Sequence, residues 1–587
     1  MATRVDSLVT AGIRPDLFAG QNLASVSRTL VVVVLALLVM VGFGMRVSNL
    51  SAEGLSEDEL NKLQAVADYR EHGPTSANGE HPFLMKALLT GSLVFADKWN
   101  SIPSLGGRFP IAMESALRFP STLFGALTAV LIFLVATELF GSQVGLLAAA
   151  LWALDPMAIG FNRIAKEDTF LLFFFLLGNF FWLRGQRDAE SSSAEHAEKY
   201  YWASAVAFGA MMASKYLPQM LTISLCYYYI FQSVPATRWR LGKIRLLKFY
   251  GLMFVAFVIL NPTILFPATW HQMAQFAGQK LVGHDGYEFM GKLYHHRATD
   301  WLNGIPWYFY HLFALIKLPV LTVVSFLIGM PLLFRRRLGD GRYFILLWMF
   351  LWMMTFSWGG GKFTRYFTNI LPAVHITAAI GLQALGNWLG RKLSSLLSAE
   401  WPKIYLRPAL GLLVLAGAVV AVSQAKPNFR LYTNAFGGGR DRAGYYYPHD
   451  EFYDASIREV MVEISKRAKP NAQVVSETPG LALFYGQRAG RWDLQSVHLA
   501  DSKALKNLHE GDFVIVARGR LYFGNELIVN ALQESSVPAM QFTLGPAHSA
   551  SVYVLDGKSL EAILNVANRM APLAKVSNPQ NPAMGSD

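Results

Sequence analysis

The sequence predicts a mainly α-helical, polytopic membrane protein with about eleven transmembrane helices, interfacial helices in the first outer loop and a C-terminal extracytoplasmic α/β domain. Three observations carry that reading. Of the 587 residues, 53% are hydrophobic, 13% aromatic and only 16% charged, whereas charged residues approach about a quarter of a soluble chain. The apolar residues come in blocks long enough to cross hydrocarbon, which takes about 20 residues of helix; Leu30 to Met45 is among the clearest. Lys and Arg gather at the ends of these blocks, so the formal charge of +12 reads as membrane topology and not as a nucleic-acid surface.

Apolar blocks place helices near 29–45, 116–139, 143–161, 169–184, 200–215, 217–232, 248–264, 306–334, 343–358, 366–387 and 408–424. The polar stretch 1–28 is a cytoplasmic leader without a small-residue cleavage site, so the first block is a retained signal anchor. With the N-terminus inside, Arg238, Arg240, Lys243 and Arg245 fall in the cytoplasm, as do Arg335, Arg336, Arg337, Arg342, Arg391 and Lys392. The block Pro82 to Phe95 is too short to span and is assigned to the interface. Calling it a span would invert everything after it. The single cysteine, Cys226, lies in an apolar run, so no intrachain disulfide forms.

The transmembrane domain thus covers 29–425, interrupted by outer loops at 46–115 and 265–305, and an extracytoplasmic α/β domain covers 426–570. In that domain Ile457, Val460, Met461 and Ile464 have helical spacing, and Gln473 to Ser476, Phe513 to Ala517 and Ser551 to Leu555 read as strands. The proline-bearing end, 571–587, reads as a disordered tail. No internal repeat is visible.

The charged residues of the outer loops are the candidates for chemistry. Ser56-Glu57-Asp58-Glu59 puts consecutive acids close to the end of the first span. Locally this is also a capped helix start, with Ser56 capping and the acids complementing the dipole. Glu80-His81-Pro82-Phe83-Leu84-Met85-Lys86 follows, and Asn162-Arg163-Ile164-Ala165-Lys166-Glu167-Asp168 lies on the same outer side. Lys215 ends the fifth span, and Lys362 and Arg365 lie in Gly359 to Arg365. Outer cations run against the topological bias; either they snorkel to headgroups or they bind an anion such as a lipid phosphate. Acids and cations on one membrane face suit a polyprenyl-phosphate sugar donor. A carboxylate would take the proton of an acceptor hydroxyl, and Arg or Lys would stabilise charge on the departing phosphate.

The Asp58-Glu59 pair, His81 to Lys86, Arg118-Phe119-Pro120-Ser121, and Arg163 ahead of Asp168 and a Phe-rich helix occur in an order that resembles the protein mannosyltransferases using dolichyl-phosphate-mannose. It is similar also to their bacterial relatives, including the aminoarabinose transferases of lipid A, all in the GT-C membrane class. The resemblance covers roughly residues 30 to 390, and more loosely the tail from Pro427. It implies that Asp58 is the general base with Glu59 beside it, that Asp168 is the later catalytic aspartate, and that the His-Pro stretch lines the site. Glu80, His81, Lys86, Arg163, Lys215, Lys362 and Arg365 are the expected substrate-binding residues. Phe83 and Met85 depart from the protein-modifying members, and His81 replaces the lysine of the lipid A branch. The acceptor therefore stays open between protein, lipid and glycan.

The loop with His271, His284, Asp285, His295 and His296 raises a divalent metal as an alternative, but no pair has strong zinc spacing. Headgroup contacts are the competing reading for the histidines. Asp285, Tyr287 and Glu288 are further candidates to touch sugar or acceptor. No Walker or Rossmann phosphate loop is present, so no cofactor is implied. A transporter or flippase of a lipid-linked precursor is the rival function. The missing repeat and the one-sided polar clusters weigh against it. A membrane-anchored sensor leaves the charged outer loops unexplained.

Overall fold

The computed structural model describes residues 28–191, 194–228, 243–280, 285–297, 299–301 and 303–570. The leader 1–28 apart from its last residue, the basic positions Arg238 and Arg240, His284 and the tail 571–587 lie outside the described residues. The chain divides into two compact units. The first holds Met1–Ala52, Asn61–Gly283 and His296–Ala443; the second holds Glu53–Leu60, His284–His295 and Gly444–Asp587.

The first unit is helical. Among the described residues four helices are long and apolar enough to cross a membrane: Thr29–Val47, Met113–Phe140, Glu167–Ala189 and Trp401–Ala425. A fifth is added if Ser142–Ala153 and Pro156–Asn162, bent by 62°, make one broken span. Leu30, Val33, Leu37, Leu412, Leu413 and Val420 are exposed along two of these helices. Apolar faces of that length are at home in lipid, where each helix satisfies its own backbone.

Residues 229–232 of the expected span 217–232 lie outside the described residues; within them the remaining expected spans are helical but shorter, broken or more polar, so length and composition do not reproduce the count of about eleven there. The block 306–334 divides at Pro319 into Phe309–Lys317 and Val320–Gly329. The block 366–387 opens in a tight turn, Thr364–Asn369, before helix Leu371–Leu397 begins. The bend after Ala153 has a local cause: Asp155 accepts a hydrogen bond from the Ala158 amide at 2.8 Å, with Pro156 at the first helical position. Helices Val320–Gly329 and Leu371–Leu397 cross where a Cβ on Gly329 would collide with Thr377 O, and one on Gly381 with Ser325 O. Only glycine permits that approach.

The segment 46–115, expected as the first outer loop, supplies helices Glu57–His72 and Phe83–Ser101, neither of which qualifies as a span. Helix Glu57–His72 begins in the second unit and continues in the first.

The second unit carries a five-stranded sheet ordered β4-β3-β5-β7-β6. The strands are β3 Gln473–Ser476, β4 Gln495–His498, β5 Phe513–Ala517, β6 Met540–Leu544 and β7 Ala547–Val554. β3 pairs in parallel with β4 and β5, and β7 runs antiparallel to β5 and β6. Earlier in the chain, β1 Gly286–Phe289 and β2 Lys292–His295 form a hairpin. Val475, Leu505, Val514, Ile528, Leu532, Tyr553 and Ile563 make the core. Ile457, Val460, Met461 and Ile464 are all buried on helix Ile457–Arg467, as their spacing requires.

Candidate active site

The expected site residues divide between the units: Asp58 and Glu59 belong to the second, Asp168 and the substrate-binding candidates to the first.

In the first unit, Glu167 and Asp168 open helix Glu167–Ser191, where the helix dipole favours negative charge. Asp168 Oδ1 accepts from Lys215 Nζ at 2.7 Å and from Asn369 Nδ2 at 3.2 Å. Its Oδ2 is buried without a hydrogen-bond partner among the described residues. Lys215 lies just past the end of helix Ala194–Ser214, and its ammonium sits 4.6 Å from the centre of the Tyr366 ring. Arg365 lies over the same ring at 5.5 Å and over Phe363 at 4.0 Å. Glu167 pairs with Lys62 at 3.0 Å, both side chains 1% exposed, and His81 Nδ1 is 3.5 Å from the same oxygen. Lys62 and Lys215 pair with Glu167 and Asp168, and buried Lys166 adjoins them in the chain.

Three of the expected substrate-binding cations make contacts within the fold. Arg163 donates to the carbonyls of Met45, Arg46, Ser48 and Asn49, gathering the C-terminal end of helix Arg28–Val47. Helix ends leave such carbonyls without intrahelical partners, and a guanidinium satisfies several at once. Lys86 Nζ donates to Ala77 O at 2.9 Å and Asn78 O at 2.7 Å, shaping the loop ahead of its helix. Burial lowers its amine to about 7, against the opposing pull of Glu80. Lys362 Nζ donates to Ile305 O and Gly359 O, and burial lowers it to about 8. Glu80 accepts from Asn78 Nδ2 at 2.7 Å.

In the second unit, Ser56 and Glu59 form a reciprocal cap. The Glu59 amide donates to Ser56 Oγ at 3.3 Å and the Ser56 amide to Glu59 Oε2 at 3.1 Å. Glu59 therefore serves the helix start. Asp58 Oδ2 accepts from the Tyr453 hydroxyl at 2.7 Å, and Glu57 Oε2 lies 3.3 Å from Arg520 Nη1.

Among the described residues no group of three or more His, Cys, Asp or Glu is arranged to hold a metal ion. His295 stacks on Phe523 at 4.5 Å, and His296 Nε2 lies 3.0 Å from the Lys362 backbone. Tyr287 and Glu288, candidates to touch sugar or acceptor, also have partners inside the fold. Tyr287 donates to Asp450 Oδ2 at 2.7 Å, and Glu288 pairs with Arg518 at 3.1 Å.

Lys62, Glu167, Tyr366, Asn369, Tyr453 and Arg520 were not among the expected site residues. Glu167 carried a signal, since it adjoins Asp168. Lys62 sits in a polar helix that reads as solvated, and Tyr453 is 395 residues from Asp58.

The fold defines a class: a multi-pass membrane protein with an α/β unit toward the C-terminal end. Residues 111–266, which include Arg163, Asp168 and Lys215, match the family described as dolichyl-phosphate-mannose-protein mannosyltransferase. A comparison with curated proteins finds no match. Among solved structures, ArnT from Cupriavidus metallidurans bound to undecaprenyl phosphate is 14% identical, with 90% of this chain and 98% of that one covered at a TM-score of 0.49. The Archaeoglobus fulgidus oligosaccharyltransferase AglB, in complex with an inhibitory peptide and a dolichol-phosphate, is 10% identical over 84% of this chain and 70% of that one, at 0.46. The S. cerevisiae protein O-mannosyltransferase Pmt1-Pmt2 complex bound to the sugar donor is 18% identical over 45% and 36%, at 0.32.

Proposed function

We propose that this protein is a glycosyltransferase of the cell (inner) membrane, moving a sugar from a polyprenyl-phosphate carrier to an extracytoplasmic acceptor with inversion. The observation that carries the reading is the Asp168 group. A buried carboxylate with one oxygen unpartnered among the described residues sits beside Lys215, Asn369 and Tyr366. The segment matched by the mannosyltransferase family contains both Asp168 and Lys215.

In this reading Lys215 and Arg365 neutralise the donor phosphate, and Asp168 Oδ2 receives a sugar hydroxyl. Asp58 takes the proton of the acceptor hydroxyl as its oxygen bonds to the anomeric carbon, while the bond from that carbon to the phosphate oxygen breaks. The electron pair leaves with the polyprenyl phosphate. One base without a second nucleophile gives a single displacement, hence inversion. Membrane lipid surrounds the 29–425 domain, and the acceptor is a protein hydroxyl, a lipid or a glycan.

Purified protein in nanodiscs, given labelled polyprenyl-phosphate mannose or aminoarabinose with candidate acceptors, should release polyprenyl phosphate. Vesicles in which the labelled lipid crosses the bilayer with its sugar bond intact would point to the flippase instead.

A further inference from the structure

The acids at the start of helix Glu57–His72 are fixed by residues far along the chain within the second unit. The Gly54 amide donates to Ala455 O at 3.0 Å, and the Leu55 amide to the Tyr485 hydroxyl at 2.6 Å. The Glu57 amide donates to Asp454 Oδ2 at 3.1 Å. Asp454 is in turn gripped by Arg520, whose Nε reaches Oδ1 at 2.7 Å and whose Nη2 reaches Oδ2. Arg520 Nη1 also approaches Glu57 and the Tyr522 hydroxyl. Asp454 therefore satisfies an orphan amide at the helix start while its charge is balanced from behind.

Tyr453 and Asp454 are consecutive non-glycine residues with φ of 48° and 60°. They follow the short helix Pro448–Phe452, at a place where glycine is the usual cap. Side chains persist in this backbone region where their surroundings over-determine it, and such positions cluster where the side chain is used. Asp454 is used in the clamp. Tyr453 places its hydroxyl 2.7 Å from Asp58 Oδ2.

We infer that Tyr453 is a positioning residue for Asp58, and that the α/β domain, through Tyr453, Asp454 and Arg520, sets the orientation of the carboxylate proposed as the base. The inference rests on the proposed function, in which Asp58 accepts the proton. A carboxylate on the first turn of a helix can rotate about its side-chain bonds. Holding Oδ2 by a hydroxyl fixes its plane, so that its accepting lone pairs keep one direction through the reaction. The extracytoplasmic domain is then a working part of proton transfer.

The test is a double-mutant cycle on the full chain in nanodiscs, with Tyr453→Phe, Asp58→Asn and both together. A hydrogen bond to a charged group predicts that Tyr453→Phe lowers kcat about 10- to 100-fold, with donor KM and melting temperature unchanged. On the Asp58→Asn background the same change should add no further loss. Wild-type kcat in Tyr453→Phe, or an equal loss on both backgrounds, overturns the inference. Asp58→Asn turning over at the wild-type rate instead identifies the base assignment as the point of failure. A readout independent of turnover is amide exchange in 53–60. Arg520→Met should speed it about tenfold or more, and unchanged exchange overturns the domain's hold on the segment.

Discussion

Lys62 Nζ and Glu167 Oε1 lie 3.0 Å apart with both side chains 1% exposed. Taking both charges out of water is costly, and removing Lys62 takes from Glu167 its nearest cation, leaving His81 at 3.5 Å on the same oxygen. Lys62→Met is therefore expected to lower stability by about 3–5 kcal/mol, seen as a lower melting temperature in detergent. Adding Glu167→Leu should recover most of the loss. A single variant as stable as wild type would show that the pair is solvated and dispensable.

Arg163 and Arg365, both expected to hold phosphate, should separate by what they damage. Arg163→Gln strands carbonyls at the end of helix Arg28–Val47, each unsatisfied buried group costing about 1–3 kcal/mol. Its defect should be thermal, with donor KM intact in the folded fraction. Arg365→Gln should raise donor KM about tenfold, the effect of roughly 1.4 kcal/mol, at unchanged melting temperature. The reverse pattern would exchange the two roles.

Glu477 gives the second unit a pH dependence. Burial raises its carboxyl to about 8; the Asn525 hydrogen bond and Arg520 oppose the rise, while Glu57 and Asp285 add to it. The folded chain then holds a proton that the unfolded chain has released, so stability falls as pH rises from the ordinary carboxylate range to about 8. Glu477→Gln should flatten that slope, worth on the order of 5 kcal/mol. Burial also raises Glu288, which leaves some slope behind. Thermal melts of the full chain between about pH 5 and pH 8.5 decide it; an identical slope in the variant would remove Glu477 as its source.

What the sequence made legible is what local pattern encodes. The blocks 116–139, 169–184 and 408–424 fall inside continuous helices, and the strands Gln473–Ser476 and Phe513–Ala517 fall where β-branched residues concentrate. β4 was missed because Gln495–His498 is a largely polar edge strand without alternation. Asp168 and Lys215 do meet; the carbonyls that Arg163 gathers are brought to it by tertiary packing, which a local pattern does not encode. Ser56 and Glu59 carry a capping-box pattern, and the helix uses it.

The base is the sharpest prediction. Asp58 is the acid of its cluster whose carboxylate meets the Tyr453 hydroxyl, whereas Glu59 caps the helix and Glu57 approaches Arg520. General-base catalysis contributes about 10²- to 10⁴-fold, so Asp58→Asn, which keeps shape and removes basicity, should lose turnover on that scale. Glu59→Gln should stay near wild type because glutamine completes the same capping box. Glu57→Gln weakens a half-exposed ion pair, worth at most about 1 kcal/mol, and should cost little. Asp168→Asn keeps a hydrogen-bonding group beside Lys215 but loses the charge, so its defect should appear first in donor KM. Turnover in nanodiscs, with melting temperatures measured in parallel, ranks the four variants. If Asp58→Asn retains the wild-type rate while Asp168→Asn is inactive at saturating donor, the proton goes to Asp168, and Asp58 is left with a structural part at the helix start.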